Sequence, residues 1–323
     1  MRQRAFGRLA WPVSEIGYGM WGMGGWTGSD DKESLVALER AIEGGCNFFD
    51  TAFAYGEGRS ERLLGEAVRR HSSAGRPLYV ATKVPPKNRR WPGKAETPAS
   101  EVYPFDYVVE MTRRSLAHLG LERIHLQQLH VWSDAWVDDD GWRRAAEYLK
   151  KEGLVLGFGI SVNRWEPANV IAALRTGLVD AVQVVYNVFD QNPEDELFPA
   201  CREGNVAVIA RVPFDEGSLT GTMTVNHRWP EGDWRNLYFR PERLPEVVSR
   251  VDRLRPLVPE GSSIPDLALR FILHHPAVST TIPGMRKPRH VEANLRAGEA
   301  PPLPEATLRA LRGHRWERDW KVA

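Results

Sequence analysis

The chain has 323 residues, of which 42% are hydrophobic and 26% are charged, and its formal net charge is +1. This composition is typical of a globular protein with a large core, and so small a net charge does not favour nucleic acid or an acidic membrane as a partner. Two cysteines, Cys46 and Cys201, are too few for a disulfide framework, and we expect both to be buried free thiols. Residues 1–17 lack the continuous apolar segment of a signal peptide, and no segment approaches the roughly 18 apolar residues of a membrane span, so we expect a cytoplasmic protein.

Eight short apolar segments, rich in valine and isoleucine, alternate with amphipathic segments from about residue 15 onward. Short apolar segments of this kind are typical of strands that are buried on both faces of a sheet. The predicted strands are residues 15–19, 47–51, 78–83, 124–130, 155–161, 181–187, 206–212 and 279–283.

The segments between these strands predict helices, because apolar residues recur every three or four positions and a glycine often follows the last turn. In the first of them, Leu35, Leu38 and Ile42 share one face. The second begins at Ser60, which is the expected N-cap. Further helices are predicted within residues 107–120, 142–153, 167–177, 195–204 and 306–320.

Eight strands with intervening helices predict parallel βα units, which can close as an open doubly wound sheet or as a (β/α)8 barrel. The number of units, eight, favours the barrel. The glycine-rich residues 17–26 are then expected to form a loop at the barrel mouth. The sequence therefore predicts an α/β fold, a TIM barrel, as a single domain over residues 1–323.

Three segments lie outside this pattern of strands and helices. Residues 4–14 alternate apolar and polar positions, which predicts an N-terminal β-hairpin over the bottom of the barrel. Residues 86–104 and 214–245 are predicted long loops at the C-terminal face, where barrel enzymes select their substrates. The aromatic residues within 306–320 are compatible with packing either over the mouth or on the barrel wall.

Four polar side chains lie at or just after the C-terminal ends of three successive predicted strands: Asp50, Tyr55, Lys83 and His130. The C-terminal ends of adjacent barrel strands meet at one mouth, so we expect these side chains to converge. A lysine cation near a phenol favours the phenolate and lowers the pKa of the tyrosine, and an aspartate keeps the lysine charged and in place. A histidine can orient a substrate oxygen. Together the four residues form a candidate acid–base site.

Each of these four residues also has a structural interpretation. Asp50 alone is compatible with a cap, Tyr55 with a half-buried aromatic residue and Lys83 with a solvated strand end. His130 alone is compatible with a core histidine. Their joint placement at adjacent strand ends favours the catalytic interpretation.

A metal site is not expected. His274 and His275 end a predicted helix, where a histidine cation interacts favourably with the helix dipole, and no third ligand accompanies them. The acidic residues Asp138–Asp140 are expected to lie in a solvated loop.

The segment FFDTAFAYGEGRSERLLGEAV, residues 48–68, resembles the signature of aldo-keto reductases, in which a strand ends in Asp-Thr-Ala and a Tyr-Gly follows. The resemblance continues in order through VATKV, IHLQQLH, GFGIS, VQVVYN, VIARVPFDEGSLTG and TTIPGMRKPRHVEANL, and so covers nearly the whole chain. It implies a (β/α)8 barrel without a Rossmann domain and a catalytic tetrad of Asp50, Tyr55, Lys83 and His130. The implied reaction is hydride transfer from a nicotinamide ring to a carbonyl carbon, with Tyr55 as the proton donor.

The resemblance also implies a nicotinamide cofactor. Ser161 and Gln183 resemble the pair that binds the nicotinamide carboxamide. Two residues depart from the family pattern: Val162 stands where an asparagine often follows the serine, and Arg211 stands where an aromatic residue often stacks on the nicotinamide. A guanidinium can also stack on a planar ring.

Two further segments resemble cofactor-binding segments of the family. Residues 213–219 resemble the loop that crosses the pyrophosphate. A cluster of cationic residues follows the eighth strand, and its charge suits the 2′-phosphate of NADP. NADPH is therefore favoured over NADH, and no flavin is expected. The implied cofactor-binding residues are Gly19, Met20, Trp21, Asp50, Ser161, Gln183, Arg211, Pro213, Phe214, Gly217, Ser218, Leu219, Gly284, Arg286, Lys287, His290 and Asn294.

The expected partner is a small carbonyl or alcohol substrate. Its predicted pocket is lined by Trp21, Tyr55, His130 and Trp132, although packing of the tryptophans under loops is nearly as compatible with the sequence. A nucleotide-binding regulatory subunit with slow turnover stays open as an alternative function. The sequence leaves the oligomeric state open.

Overall fold

Among the residues that the computed structural model describes, which are 1–26, 28–71, 75–318 and 320, eight parallel strands form one sheet. Each comes from one of the eight predicted segments, and their order in the sheet follows the chain from β3 to β10. A separate antiparallel pair, β1 and β2, precedes them. The strands are β1 (Gln3–Ala5), β2 (Pro12–Ser14), β3 (Tyr18–Gly19), β4 (Phe48–Asp50), β5 (Tyr79–Val84), β6 (Ile124–Leu129), β7 (Val155–Ser161), β8 (Ala181–Val185), β9 (Ala207–Arg211) and β10 (Val278–Thr281).

Backbone hydrogen bonds between the first and last strands close the sheet into a barrel. The Gly17 nitrogen donates to the Thr281 oxygen at 2.8 Å, and the Gly19 nitrogen donates to the Pro283 oxygen at 3.0 Å. A side chain on Gly19 would overlap the carbonyl oxygen of Ile282, so glycine permits this close approach. The (β/α)8 TIM barrel is confirmed, and the open doubly wound sheet is excluded.

Helices follow most of the strands, and their apolar faces pack against the outside of the barrel. In the described part of the chain, no helix has the length and apolar character that a membrane span needs. The helices are α1 (Asp31–Glu43), α2 (Arg59–His71), α3 (Ala99–Val102), α4 (Phe105–Leu119), α5 (Asp140–Lys151), α6 (Ile171–Arg175), α7 (Leu197–Glu203), α8 (Arg235–Tyr238), α9 (Leu244–Asp252), α10 (Ile264–His274), α11 (Pro288–Glu299) and α12 (Glu305–Arg312).

Two helix predictions were wrong at their ends. Ser60 is not the N-cap of α2, because it lies in the first turn and its hydroxyl accepts a hydrogen bond from Thr51 at 2.8 Å. The helix predicted over 306–320 ends at Arg312. The described residues after it, 313–318 and 320, are not helical. The Trp316 nitrogen donates to the Phe189 oxygen at 2.9 Å. This contact places the residues after α12 against the loop that follows β8, on the mouth side of the barrel.

The predicted hairpin is confirmed, and it closes the bottom of the barrel. The Phe6 ring is fully buried, 5.2 Å from the Phe48 ring and 5.5 Å from the Trp11 ring, as measured between centroids. Val13 joins the same apolar cluster with residues from the N-terminal halves of the strands. Cys46 is also buried as a free thiol, as is Cys201, and burial raises the pKa of each thiol to about 12.

Replacement of the hairpin's central ring tests this arrangement. Phe6→Ala is expected to lower the free energy of unfolding by about 3–5 kcal/mol, because it leaves a cavity at the bottom of the barrel. Equilibrium urea unfolding measures the change. Leu237→Ala is the control, since Leu237 is 53% exposed in α8 and its truncation is expected to change stability by less than about 0.5 kcal/mol. Equal losses in the two variants would show that the hairpin does not fill the barrel bottom.

Candidate active site

Three of the four candidate catalytic residues meet at the C-terminal ends of β4 and β5. The Lys83 ammonium donates to the Asp50 Oδ2 at 2.6 Å, to the Thr51 carbonyl oxygen at 2.7 Å and to the Tyr55 hydroxyl at 3.5 Å. Side-chain exposure is 0% for Lys83 and 2% for Asp50. The structure therefore joins Asp50, Lys83 and Tyr55 through one buried cation, as the strand-end positions predict.

The second carboxylate oxygen of Asp50 accepts hydrogen bonds from two glutamines. The amide nitrogen of Gln183, in the middle of β8, lies 2.7 Å from Oδ1, and that of Gln128 in β6 lies 3.3 Å from it. The carboxylate is thus held from three strands besides its own. Sequence reasoning missed the bond between Gln183 and Asp50, because the two residues are 133 positions apart in the chain.

The pKa of Tyr55 is raised from its ordinary value of 10.0, and burial is the largest cause. Lys83 acts in the opposite direction, as the sequence predicts, but the expected net lowering of the tyrosine pKa is wrong because burial outweighs the cation. The phenol consequently keeps its proton throughout the neutral range.

His130 directly follows β6, and its ring lies edge-on to the Tyr55 ring with centroids 5.8 Å apart. Burial, and after it the cations Lys83 and Arg211, hold the pKa of His130 well below 6.5. The imidazole is therefore neutral at pH 7 and carries one hydrogen-bond donor. Its buried Nδ1 has no hydrogen-bond partner in the structure.

The aromatic residues at the mouth differ from the predicted set. Trp21 is 43% exposed and stacks on Trp26, but Trp132 is fully buried against Trp136 and Trp142. The structure therefore does not place Trp132 on the wall of the pocket, and packing under a loop describes it correctly.

Trp91 lines the mouth at a position that sequence reasoning missed. It is 46% exposed, and its ring lies edge-on to the His130 ring with centroids 5.9 Å apart. The only sequence signal was an aromatic residue within the long polar loop 86–104. Trp91 thus presents apolar surface beside His130, one of the candidate catalytic residues.

The two departures from the family pattern contact each other. The Arg211 guanidinium donates to the Val162 carbonyl oxygen at 2.9 Å, which fixes the arginine at the ends of β7 and β9. Ser161 and Gln183 are neighbours in register on β7 and β8. Burial lowers the pKa of Arg211, and the nearby Arg164 cation acts in the same direction.

Three of the implied cofactor residues lie at the end of β3 or directly after it. Gly19 pairs with Asp50 of β4 and with Gly284, which follows β10. Met20 is buried, and its nitrogen donates to the Asp50 carbonyl oxygen at 2.9 Å. Trp21 follows at the surface of the mouth. The loop after β3 therefore lies beside the strand end that carries Asp50.

Most of the segment 213–219 lies in a short 3-10 turn, Asp215–Thr220, shortly after β9. Glu216 and Gly217 adopt left-handed backbone conformations, with φ of 56° and 108°. Ser218 donates to Asp215 at 2.6 Å, and Leu219 is buried. The turn is thus fixed from within, while Pro213 and Phe214 join it to the end of β9.

A cationic group lies after β10, at the start of α11, as predicted. Arg286 and Lys287 are partly exposed. The pKa of His290 is lowered by partial desolvation of its ring and by the neighbouring cations. The buried amide nitrogen of Asn294 has no partner, and Gly284 leaves open space where a side chain would stand. An unpaired buried donor beside several cations fits a ligand with phosphates and a polar ring.

No group of three or more histidine, cysteine or acidic residues with metal-binding geometry occurs within the described residues. His275 is the C-cap residue of α10 and its ring packs on Phe198, with centroids 4.6 Å apart.

Known proteins resemble this chain over almost its full length. The model of the Aldo/keto reductase family matches residues 15–315. The aldo-keto reductase YhdN of Bacillus subtilis is 30% identical over 87% of this chain and 84% of that protein, and the uncharacterized oxidoreductase YqkF of the same species is 29% identical over 97% and 96%. The solved structure of aldo-keto reductase AKR11C1 from Bacillus halodurans, in its holo form, has a TM-score of 0.75 at 27% identity and covers 98% of this chain and 96% of that one.

The depressed pKa of His130 predicts a dependence of stability on pH. Above pH 6.5 the side chain is neutral in both the folded and the unfolded state. Below pH 6.5 the histidine binds a proton in the unfolded chain but not in the folded protein. The free energy of unfolding therefore falls as pH falls below 6.5. In His130→Gln this fall is expected to be shallower, by up to about 1.4 kcal/mol per pH unit, in urea unfolding between pH 5 and 6.5. Identical slopes for both proteins would contradict a neutral buried His130.

Proposed function

This chain belongs to the aldo/keto reductase family, and we propose that it reduces an aldehyde or ketone to an alcohol, or catalyses the reverse oxidation, with NADPH or NADP as cofactor. Family membership makes the protein an oxidoreductase that acts on carbonyl or alcohol groups with a nicotinamide cofactor. The observation that carries the finer proposal is the buried contact of Lys83 with both Asp50 and the Tyr55 hydroxyl. The cytoplasm is the proposed compartment, which the two free thiols support.

When bound, a nicotinamide cofactor would supply the hydride for the carbonyl carbon. Ser161 and Gln183 are proposed to bind its nicotinamide carboxamide, and Arg211 to stack on the nicotinamide ring. Residues 213–219 are proposed to cover its pyrophosphate. Arg286 and Lys287 are proposed to bind a 2′-phosphate, and the unpaired amide of Asn294 is proposed to bind the adenine. The neighbouring cations support NADPH over NADH, because a phosphate dianion gains more from them than a hydroxyl does.

The proposed roles of the catalytic residues follow from their protonation states. Tyr55 keeps its proton until negative charge develops on the substrate oxygen, because burial raises the pKa of its phenol. The neutral His130 donates one hydrogen bond to that oxygen and so orients it. When Tyr55 releases its proton, the Lys83 cation stabilises the phenolate, and Asp50 keeps the cation in position.

Removal of the phenol hydroxyl tests the role of Tyr55. Tyr55→Phe is expected to slow single-turnover oxidation of bound NADPH by a reactive aldehyde by about 100-fold or more, because the proton donor is lost. NADPH absorbance in a stopped-flow instrument measures the rate. Tyr148→Phe is the matched control, since its hydroxyl contacts Arg113 on the protein surface. Equally slow turnover in wild type and Tyr55→Phe would contradict the enzyme proposal and favour a nucleotide-binding regulatory subunit.

The assignment of the 2′-phosphate is tested separately. Arg286→Ala is expected to raise the Kd for NADPH by about 10-fold or more and to leave the Kd for NADH nearly unchanged, because only NADPH carries the phosphate. Calorimetric titration measures both constants. Arg296→Ala, an exposed position in the last turn of α11, is the control. If Arg286→Ala raised the Kd for NADPH and the Kd for NADH equally, the assignment of Arg286 to the 2′-phosphate would be wrong.

A further inference from the structure

The loop 213–219 requires a backbone conformation that its own residues do not favour. Val212, Asp215 and Glu216 all have φ in the left-handed region, at 56°, 44° and 56°. Such angles are unfavourable for residues with a side chain, and neighbouring structure has to hold them in place. The contacts that do so therefore control the shape of this loop.

A buried network of ion pairs, here called the mouth network, provides these contacts. Its members are Arg164, Asp190, Asp215, Glu216 and Arg318. Asp215 has no exposed surface, and its two carboxylate oxygens accept from different cations: Arg164 at 2.8 Å and Arg318 at 3.0 Å. Both cations also reach Asp190, at 3.1 Å and 2.9 Å. The loop after β9 is thus tied to the loops after β7 and β8.

Arg318 enters this network from a distant part of the chain. It belongs to the segment after α12, and 103 residues separate it from Asp215. Its side chain is only 1% exposed, and its guanidinium lies 4.5 Å from the Trp316 ring centroid and 5.7 Å from that of Phe189. Burial of a long cationic side chain costs free energy unless the charge is paired, so the position of Arg318 is fixed by its carboxylate partners.

We propose that Arg318 is a positioning residue that fixes the loop 213–219 over the cofactor and so slows cofactor release. The proposal rests on the function proposed above, because it takes this loop to cover the pyrophosphate. The network has two cations for three carboxylates. Loss of Arg318 leaves Arg164 as the remaining cation of the network, so Asp190 and Asp215 repel each other with less compensation and the strained loop loosens.

The test compares NADPH release from wild type, Arg318→Ala and Arg318→Lys. The rate constant of NADPH dissociation is measured by stopped-flow displacement, with tryptophan fluorescence as the signal. Arg318→Ala is expected to raise it by about 10-fold or more, because truncation of a buried charge pair acts mainly on dissociation. Arg318→Lys is expected to give an intermediate rate constant. Lysine keeps the charge but cannot contact Asp190 and Asp215 with two separate nitrogens, as the guanidinium does. The KM for the carbonyl substrate is expected to stay unchanged.

Arg315→Ala is the matched control in the same segment. Arg315 pairs with Asp195 and Glu317 on the surface, outside the mouth network, and its loss is expected to leave the dissociation rate as in wild type. Thermal unfolding verifies that each variant is folded. Arg318→Ala that unfolds at a lower temperature but releases NADPH at the wild-type rate would overturn the proposal.

A double-mutant cycle separates positioning from general destabilisation. The double variant, Asp215→Asn with Arg318→Ala, is expected to raise the dissociation rate by less than the product of the two single effects. The reason is that both substitutions weaken the same contact, the one between Asp215 and Arg318. Independent, multiplicative effects would overturn the proposal.

Hydrogen exchange of residues 213–220 without cofactor separates this proposal from the proposed function. Faster exchange in Arg318→Ala than in Arg315→Ala supports the fixing of the loop, even if wild type fails to bind NADPH. Equal exchange overturns it, even if NADPH binds as proposed.

Discussion

The buried ion pair between Lys83 and Asp50 is the interaction on which the candidate site depends. A fully buried ammonium is tolerated only when it is paired and its remaining hydrogens are bonded. Asp50 and the Thr51 carbonyl meet that requirement, and Gln128 and Gln183 satisfy the other oxygen of the carboxylate. The pair and these partners come from β4, β5, β6 and β8 and from the residue after β4, so the complete arrangement requires strands that are far apart in the chain to assemble.

Burial also decides the protonation states around this pair. Lys83 favours a charged phenolate at Tyr55, but removal of water favours the neutral phenol more strongly and raises its pKa. At His130 burial and the neighbouring cations act in the same direction, and the imidazole stays neutral. The site therefore has a protonated phenol at Tyr55 and, beside it, a neutral hydrogen-bond donor at His130.

The loops at the mouth add aromatic surface and a network of ion pairs to the groups on the barrel strands. Trp91 comes from the loop after β5 and contacts His130, while Trp132 packs under its own loop instead of facing the mouth. The mouth network joins the loops after β7, β8 and β9 with the segment after α12. The candidate catalytic groups therefore lie on strand ends or shortly after them, whereas many of the residues proposed to contact ligands lie on loops held by long-range contacts.

The sequence by itself determined the barrel and the positions of the four candidate catalytic residues. Strands buried on both faces have to be apolar, so all eight appeared as short apolar segments, and Asp50, Lys83 and His130 stood out as polar residues at their ends. Only the tertiary structure decided that α12 ends at Arg312, that Trp132 is buried, that Gln183 binds Asp50 and that burial outweighs Lys83 at Tyr55. Periodicity reports which face of an element is buried, whereas these outcomes depend on partners that lie far away in the chain or on the total burial of a group, which no local pattern contains.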